Sequence, residues 1–575
     1  MAQKSKSQTK NKSSYRGFEG VDTRKTHSGD ESIAMIDNFR ITNDGSLRKR
    51  SGYKRIASST GEIKASYCTT RNGVEVCYYI EGKNVRKYTP STGTVTTLEK
   101  LASSSNRTFF FEYFDNLYIC DGENLYGIDD TVYSLSGYIP LYGKDWSNTA
   151  GEVNEPINLL SDKIAISYKL GSPATSYLPL GNQQISNIVE LYRNGSRVKS
   201  DRYSLNTEYN VISLQDFSDN DEFFAILNIF KTPEIEAEQG ALLSSRAAEM
   251  FYELNENNLF FWGSASNNKI YYTKKPDPSS VEITSRHTDP GSFYVPLGSY
   301  LSVASDNDRV NALIRHYDRM MIMTERSTWI CDPASLSGSD TPIRSINTTI
   351  GAESFRGACR IENTLISIGK SSIYAWTSRT DELNECNAYS ISDPINAILP
   401  NDFFSTCKIY VYKKMREVWF YGGSASQVWI YNIDRKAWYK FSGFTPTEIL
   451  CESTEPRFIG SKMLCCFDDT LLCDFPSDEP IEIIARLKSG ELEFNSKHKK
   501  KLSGASLRGE FSGGSLNATI MLDGKKSFST PFKTRAKHFN VPFRIRSGSF
   551  YSLTFELIAS GSGDQIIHGI EFNAD

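Results

Sequence analysis

KIYVYKKMREVWFYGGSASQVWIYNIDRKAWYKF, Lys408–Phe441, reads as a strand, a turn, a strand rich in aromatic and β-branched residues, a Gly/Ser turn and further aromatic strands with Asn and Asp between them. The same grammar recurs along the chain. It is found from Lys64 to Leu98, Arg107 to Leu135, Phe251 to Pro296, Val310 to Ile350, Gly357 to Leu399, Thr406 to Phe444 and, in shorter form, Glu448 to Phe475. The repeat is about 40 residues, the length of a four-stranded propeller blade. Open sheets with that many strands would expose edges, and ring closure removes them. The expected fold is therefore all-β, a β-propeller of about seven blades, with two further β-sandwich regions.

The first of these interrupts the repeat. Between the second and third units, ELYRNGSRVKSDRYSLNTEYNVISLQDFSDNDEFFAIL (Glu190–Leu227) has successive hairpins with a turn at Asn194-Gly195, and residues 148–232 are read as an inserted small β-sandwich. Glu234 to Leu254 is the best helix candidate, with Leu242, Leu243, Ala247 and Met250 near helical spacing and Gly240 weakening its first half. Propeller grammar resumes over 233–480. From 481 to 575, longer alternating segments such as LNATIMLD and SFYSLTFELIA read as a C-terminal β-sandwich. The KHKKK run (Lys497–Lys501) reads as a solvated hairpin end within it.

At the other end, residues 1–14 are polar and lysine-bearing, and are expected to be a disordered basic arm. Residues 15–147 are read as an N-terminal hairpin followed by the first blades. The hairpin has Ile36, Phe39 and Ile41 before a turn at Asn43-Asp44-Gly45 and Leu47 after it. The unit from Glu448 to Phe475 is about a strand short, and propellers close by pairing one chain end with the last blade, so part of 33–56 is expected to complete it.

Charge is unevenly spread. The chain has a net charge of −3, but residues 1–55 carry +7 and residues 481–575 carry +5, leaving −15 in between. The basic residues do not gather with aromatics into a nucleic-acid module. No stretch approaches the about 20 apolar residues that span a bilayer, so no integral membrane segment is expected. The 11 cysteines show no CxxC pair, and Cys465, Cys466 and Cys473 have no nearby histidine, so they read as reduced, buried thiols.

No catalytic, cofactor-binding or metal-ligating constellation is expected. His27, His287, His316, His498, His538 and His568 are dispersed, and HExxH, P-loop and GxSxG motifs are lacking. Asp121, Asp332 and Asp434 follow apolar strands and read as caps or Asx turns, against an alternative as glycosidase carboxylates. Trp376, Trp429 and Trp438 sit in strand patterns and read as packing, against an alternative as sugar-stacking surfaces. The run Asp216–Glu222 lacks the glycine and ligand spacing of a calcium loop.

Four segments resemble the tail nozzle or tail stabilisation β-propeller proteins of tailed bacteriophages. They are FEGVDTR (Phe18–Arg24) with AMIDNFRITNDGSLRKRSGY (Ala34–Tyr53), NNLFFWGSASNNKIYYTKKPDP (Asn257–Pro278), MMIMTERSTWI (Met320–Ile330) and WIYNIDRKAWYKF (Trp429–Phe441). The signature positions are Gly20, Val21, Asp22, Asn38, Lys49, Arg50, Gly52 and Tyr53. The resemblance implies a non-enzymatic structural virion protein without cofactors, made in the host bacterial cytoplasm and located in the tail. Its implied partners are copies of itself in a homo-oligomeric ring, expected as a hexamer, portal and adaptor proteins above it, and tail fibres, with residues 148–232 the expected contact for a neighbouring subunit or a fibre. DNA would pass through the ring without specific binding. The alternative function is a propeller glycoside hydrolase or carbohydrate-binding propeller.

Overall fold

A computed structural model describes residues 11–574 apart from 17, 26–32, 104, 254–255, 285–292, 304, 306, 317–318, 333–342, 377–387, 423–426, 451–454, 461, 495–497, 533–537 and 544–547. His27 and His287, and residues 1–10 of the expected arm, lie outside the described residues.

The aromatic alternation of each unit becomes a four-stranded antiparallel sheet. Among the described residues there are seven such four-stranded units, six standing as separate sheets and blade 6 continuing into a larger one: blade 1 (63–100), blade 2 (109–134), blade 3 (247–302), blade 4 (310–347), blade 5 (358–390), blade 6 (408–442) and blade 7 (448–468 with 52–58). Short hairpins link their strands, as at Asn72-Gly73, where both residues take positive φ (51° and 75°) and match the right-handed strand twist. The first strand of blade 7 packs on that of blade 1, so the sheets form a closed ring.

What holds the ring is apolar surface between blades. Tyr78, Ile80 and Val85 of blade 1 meet Phe110, Leu117 and Ile119 of blade 2, and Phe260 and Trp262 of blade 3 share a cluster with Leu313 and Ile322 of blade 4. Each such side chain contributes roughly 1.5–3 kcal/mol when fully buried. Trp376, Trp429 and Trp438 belong to these layers and are buried, as packing requires.

The last blade closes with chain from the other end. Gly52–Ser58 pairs antiparallel with Met463–Asp468 and supplies the fourth strand of blade 7. The rest of the N-terminal segment goes elsewhere. Ile33–Asp37 lies between the outer strand of blade 6 (Ala437–Ser442) and Ala485–Ser489, making one nine-stranded sheet from blade 6 into the C-terminal sandwich. In the opposing sheet, Asn11–Arg16 and Leu47–Lys49 both pair with Gln565–Ala574. The hairpin of 15–56 is thus mostly a part of the terminal sandwich, not of the first blades, and that sandwich is built from both chain ends.

Pairing also corrects the basic arm, because Asn11–Ser14 is strand. Tyr15 is 3% exposed against Phe18 and Phe555, while the polar residues before it are held through backbone bonds that hydropathy does not register. The helix expected over Glu234–Leu254 stops at Leu243. Pro233–Leu243 is helical, capped by Thr232, and Ala247–Glu253 is the first strand of blade 3, where Met250 pairs with Leu259. In the KHKKK run Lys500 is buried, its Nζ donating to the Tyr551 and His498 carbonyls.

The insertion has a five-stranded and a three-stranded sheet around Trp146, Ile164, Tyr168, Leu191 and Ile212. Its first strand is Leu141–Trp146, earlier than the expected start at 148. Its root is fixed to blade 3 by Asn158, whose Nδ2 donates to the Tyr138 and Phe293 carbonyls while its Oδ1 accepts from the Val295 amide. Cys68 and Cys77 face each other across the first two strands of blade 1 as a disulfide, so the expectation of reduced thiols fails for that pair. Cys120, Cys331, Cys407 and Cys465 are buried and take no part in a disulfide.

Candidate functional site: the strap junction and the propeller channel

Two places concentrate unusual chemistry. The first is the junction where the N-terminal strap passes between blade 6, blade 7 and the terminal sandwich, and the signature residues meet there. Asn38 takes a left-handed backbone (φ 57°), and its amide is fully used. Its Oδ1 accepts from Arg50 Nε and from the Ser442 amide, both at 2.9 Å, and its Nδ2 donates to the Ile484 carbonyl (2.9 Å) and the Ser442 hydroxyl (3.1 Å).

Arg50 is 2% exposed and forks onto Asp474, with Nη1 to Oδ1 at 2.8 Å and Nη2 to Oδ2 at 2.6 Å. Its remaining donors reach the Ser442 and Ser51 carbonyls, and its guanidinium carbon lies 5.5 Å over the Phe444 ring. A pair this buried carries a desolvation cost, offset by bidentate geometry and satisfied donors; its best-attested use is fixing register. Asp474 Oδ1 also accepts from the Tyr53 amide, and the Tyr53 ring packs on Phe444, Phe458 and Phe467. Lys49 is buried and donates to the Gly561 carbonyl.

Space explains the glycines. A Cβ on Gly52 would lie 1.9 Å from the Cys473 carbonyl oxygen, and one on Gly20 (φ 96°) would lie 2.7 Å from the Trp438 amide nitrogen. The Val21 amide donates to the Trp438 carbonyl, and Asp22 caps the turn by accepting from Arg24. Seven of the signature residues therefore stitch three bodies together, and the eighth, Asp22, is spent on the adjoining turn. Nearby, Arg40 and Glu417 form a second buried pair at 2.9 Å. Burial works against the Arg40 charge, yet Glu417, Tyr439 and Tyr412 together raise its pKa above the ordinary arginine value.

Ser46, His568 and Glu510 line up at this junction like a nucleophile, base and acid, with Ser46 Oγ 2.9 Å from His568 Nδ1 and His568 Nε2 3.3 Å from Glu510. The arrangement is structural. Ser46 is 5% exposed, and its hydroxyl donates to Asp44 at 2.9 Å, leaving the imidazole no proton to take from it.

The second place is the propeller channel. Two cavities, of about 630 and 540 Å³, share the lining residues Tyr67, Glu112, Arg356, Cys359, Ile409 and Val411. Between them they touch the first strand of every blade. Charged groups face in: Glu112, Glu249, Arg315, Arg356 and Arg360 in the larger cavity, Glu75 and Glu448 in the smaller. Glu75 is paired with Arg457, and Glu448 with Lys408. Glu249 is open to water from the channel but ringed by protein, and desolvation raises its pKa to about 7 against the opposing pull of Arg356.

The earlier carboxylate candidates do not join this cluster. Asp121 is fully buried and accepts from the Ser103, Glu123 and Asn124 amides and the Tyr126 hydroxyl, an Asx turn. Asp434 pairs with Arg416 on the surface, and Asp332 is exposed at the end of a blade 4 strand. His316 is buried in blade 4, its pKa lowered by desolvation and then by Arg360, and no His/Cys/Asp/Glu group suited to a metal occurs among the described residues. The sequence reading missed Glu112, Glu249, Arg315 and Arg356. For Glu112, Glu249 and Arg315 the available signal was position within the repeat: the first strand of each unit faces the channel, so a charge there, as in FFFEY or ALIRH, is presented inward, whereas Arg356 precedes the first strand of its blade.

No family model matches the chain, and no curated protein matches it. Solved structures similar to it include a chain of the mitotic checkpoint complex crystal structure, at 9% identity over 75% of this chain and 93% of that one, TM-score 0.35. The AfRom2 CNH domain matches at 8% identity over 72% of this chain and 99% of its own, TM-score 0.34. The β-propeller domain of Myceliophteria thermophila Cps50 (Swd1) matches at 9%, 73% and 99%, TM-score 0.34.

Proposed function

We propose that the chain is a non-enzymatic structural protein of a bacteriophage tail, of the nozzle or stabilisation type, working as a homo-oligomeric ring, a hexamer, beneath portal and adaptor proteins. One observation carries the reading. Seven of the eight positions of the phage-family resemblance, from Gly20 to Tyr53, are buried where the strap passes between the last two blades and the terminal sandwich, and the eighth, Asp22, caps the turn beside them. Residues spent on rigidity in this way suit a subunit that must transmit force without changing shape. The reading places DNA in the passage between copies. The propeller channel of one copy is a separate space, of small-ligand size.

In this reading the insertion, which buries its own core and stands on a fixed root, is the contact for a neighbouring subunit or a tail fibre. The test is reconstitution. Native mass measurement and negative-stain imaging of the full chain with portal and adaptor should show six copies joining one ring. Chains that stay monomeric in every combination overturn the proposal, and turnover of a glycan panel would favour the hydrolase alternative. Deletion of the whole insertion, 141–230, should abolish fibre attachment; a tail that still takes fibres removes the role given to the insertion.

A further inference from the structure

Arg356 lines both channel cavities and is held there by an unusual scaffold. Its backbone is left-handed (φ 55°), a conformation costing about 1–3 kcal/mol for a residue with a side chain. The surroundings enforce it. The Arg356 amide donates to the Asn311 carbonyl at 2.7 Å, while Asn311 Nδ2 donates to the Ala352 and Glu353 carbonyls, so blade 4 clamps the loop leading into blade 5. Phe355 anchors the same loop, its ring 4.9 Å from Trp262 and covered by the Arg246 guanidinium at 4.0 Å. The Arg356 guanidinium lies 5.9 Å over the Phe355 ring and within electrostatic reach of Glu249, makes no hydrogen bond or ion pair with the described residues, and is exposed to the channel.

Around this free fork, the channel is partly neutralised and partly not. Glu75 and Glu448 have basic partners, Arg360 gives one N–H to the Arg315 carbonyl and keeps the rest, and Glu112 takes one hydroxyl from Thr69. Arg356 can therefore take a planar carboxylate bidentately. Glu112 and Glu249 offer oxygens to hydroxyl groups, and Glu112 would oppose a second negative charge on a ligand. Tyr67 and Phe110 add aromatic wall for a C–H face, and the volumes fall within the roughly 300–1,000 Å³ of small-molecule sites.

We propose that the propeller channel binds a small monoanionic polyhydroxy acid, a sugar acid, with its carboxylate on Arg356 and its hydroxyls on Glu112 and Glu249. The inference goes beyond the tail reading and holds independently of it.

Isothermal titration and saturation-transfer NMR on the full chain, with galacturonate, galactose and inorganic phosphate as probes, test it. Galacturonate should bind one-to-one, with galactose and phosphate each weaker by about tenfold or more. Arg356→Gln should weaken galacturonate by about tenfold or more at an unchanged melting temperature. Glu112→Ala, a change to a channel-facing side chain, should weaken it by about threefold and provides a second readout if Arg356→Gln does not fold. Galacturonate that fails to bind, galactose or phosphate that binds as tightly, or affinity that survives both substitutions overturns the proposal.

Discussion

The strap junction and the propeller channel hold charged residues in opposite conditions. At the junction Arg50 and Asp474 are almost wholly buried and bonded to each other at 2.6 Å, and every donor of the Asn38 amide has a partner. In the channel Arg356 stands free on a strained backbone, and Glu249 stays next to water with its pKa raised to about 7. Charge that is satisfied serves architecture, whereas charge held in place but unsatisfied is available to a ligand. The recognisable motif thus marks where the molecule is tied, and the chemistry lies in the repeats.

The sharpest way to break this contrast is at the salt bridge. Asp474→Ala leaves the Arg50 guanidinium buried without its partner and should destabilise the protein by about 3–5 kcal/mol, seen as a lower denaturant midpoint for the propeller and sandwich together. If the midpoint hardly moves, the junction is not the tie described. Gly52→Ala comes next. With Cβ room of only 1.9 Å to the Cys473 carbonyl, the closing strand must shift, for an expected loss of about 1–3 kcal/mol, and hydrogen exchange should rise first in Met463–Asp468.

A smaller, pH-dependent effect is expected in the channel. The Glu249 carboxyl keeps its proton in the folded chain up to about 7 but loses it near its ordinary value of 4.5 when unfolded. Its contribution to stability is present below 4.5 and is lost as pH rises through the folded value. Glu249→Gln should therefore raise the melting temperature relative to the parent above pH 7 and leave it unchanged below pH 4.5. Equal differences at both ends would remove Glu249 from the account. Least of all should be Asp564→Ala. It cuts the exposed Arg48–Asp564 pair, whose side chains are 49% and 33% exposed, for about 0.2–1 kcal/mol in a double-mutant cycle with Arg48.

Much of the fold was legible because propeller blades write their period in aromatic strands and Asn/Gly turns. The short last unit also announced its need for a strand, which Gly52–Ser58 supplies. The fate of the residues around that strand was not legible. Ile33–Asp37 is a central strand in a sheet whose other members all begin at or beyond Lys408, and Asn11–Arg16 is held by backbone pairing with Glu571 and Phe572. Local pattern cannot report such partners. The helix extending to Leu254 was misread for a related reason: Ala247 and Met250 fit a helical stripe, but they pair with Trp262 and Leu259. At the candidate site, Arg356 left no pattern at all, since its importance comes from Asn311 and Phe355 holding it in a conformation only the assembled ring imposes.

Closure by the opening segment also sets a timetable for synthesis. Gly52–Ser58 leaves the ribosome early and meets its partner only once Met463–Asp468 has followed, while Asn11–Arg16 and Leu47–Lys49 wait for Gln565–Ala574. At about 5–20 residues per second the strap stays unpaired for roughly half a minute to two minutes, its strand edges open to other chains. A chain released before Gln565 would have seven nearly complete blades and still leave Asn11–Arg16 without its partner and Leu47–Lys49 paired on one side only, with Phe39–Ile41. The lysines and arginines along the strap, which keep such an edge soluble, are then needed most before the fold exists.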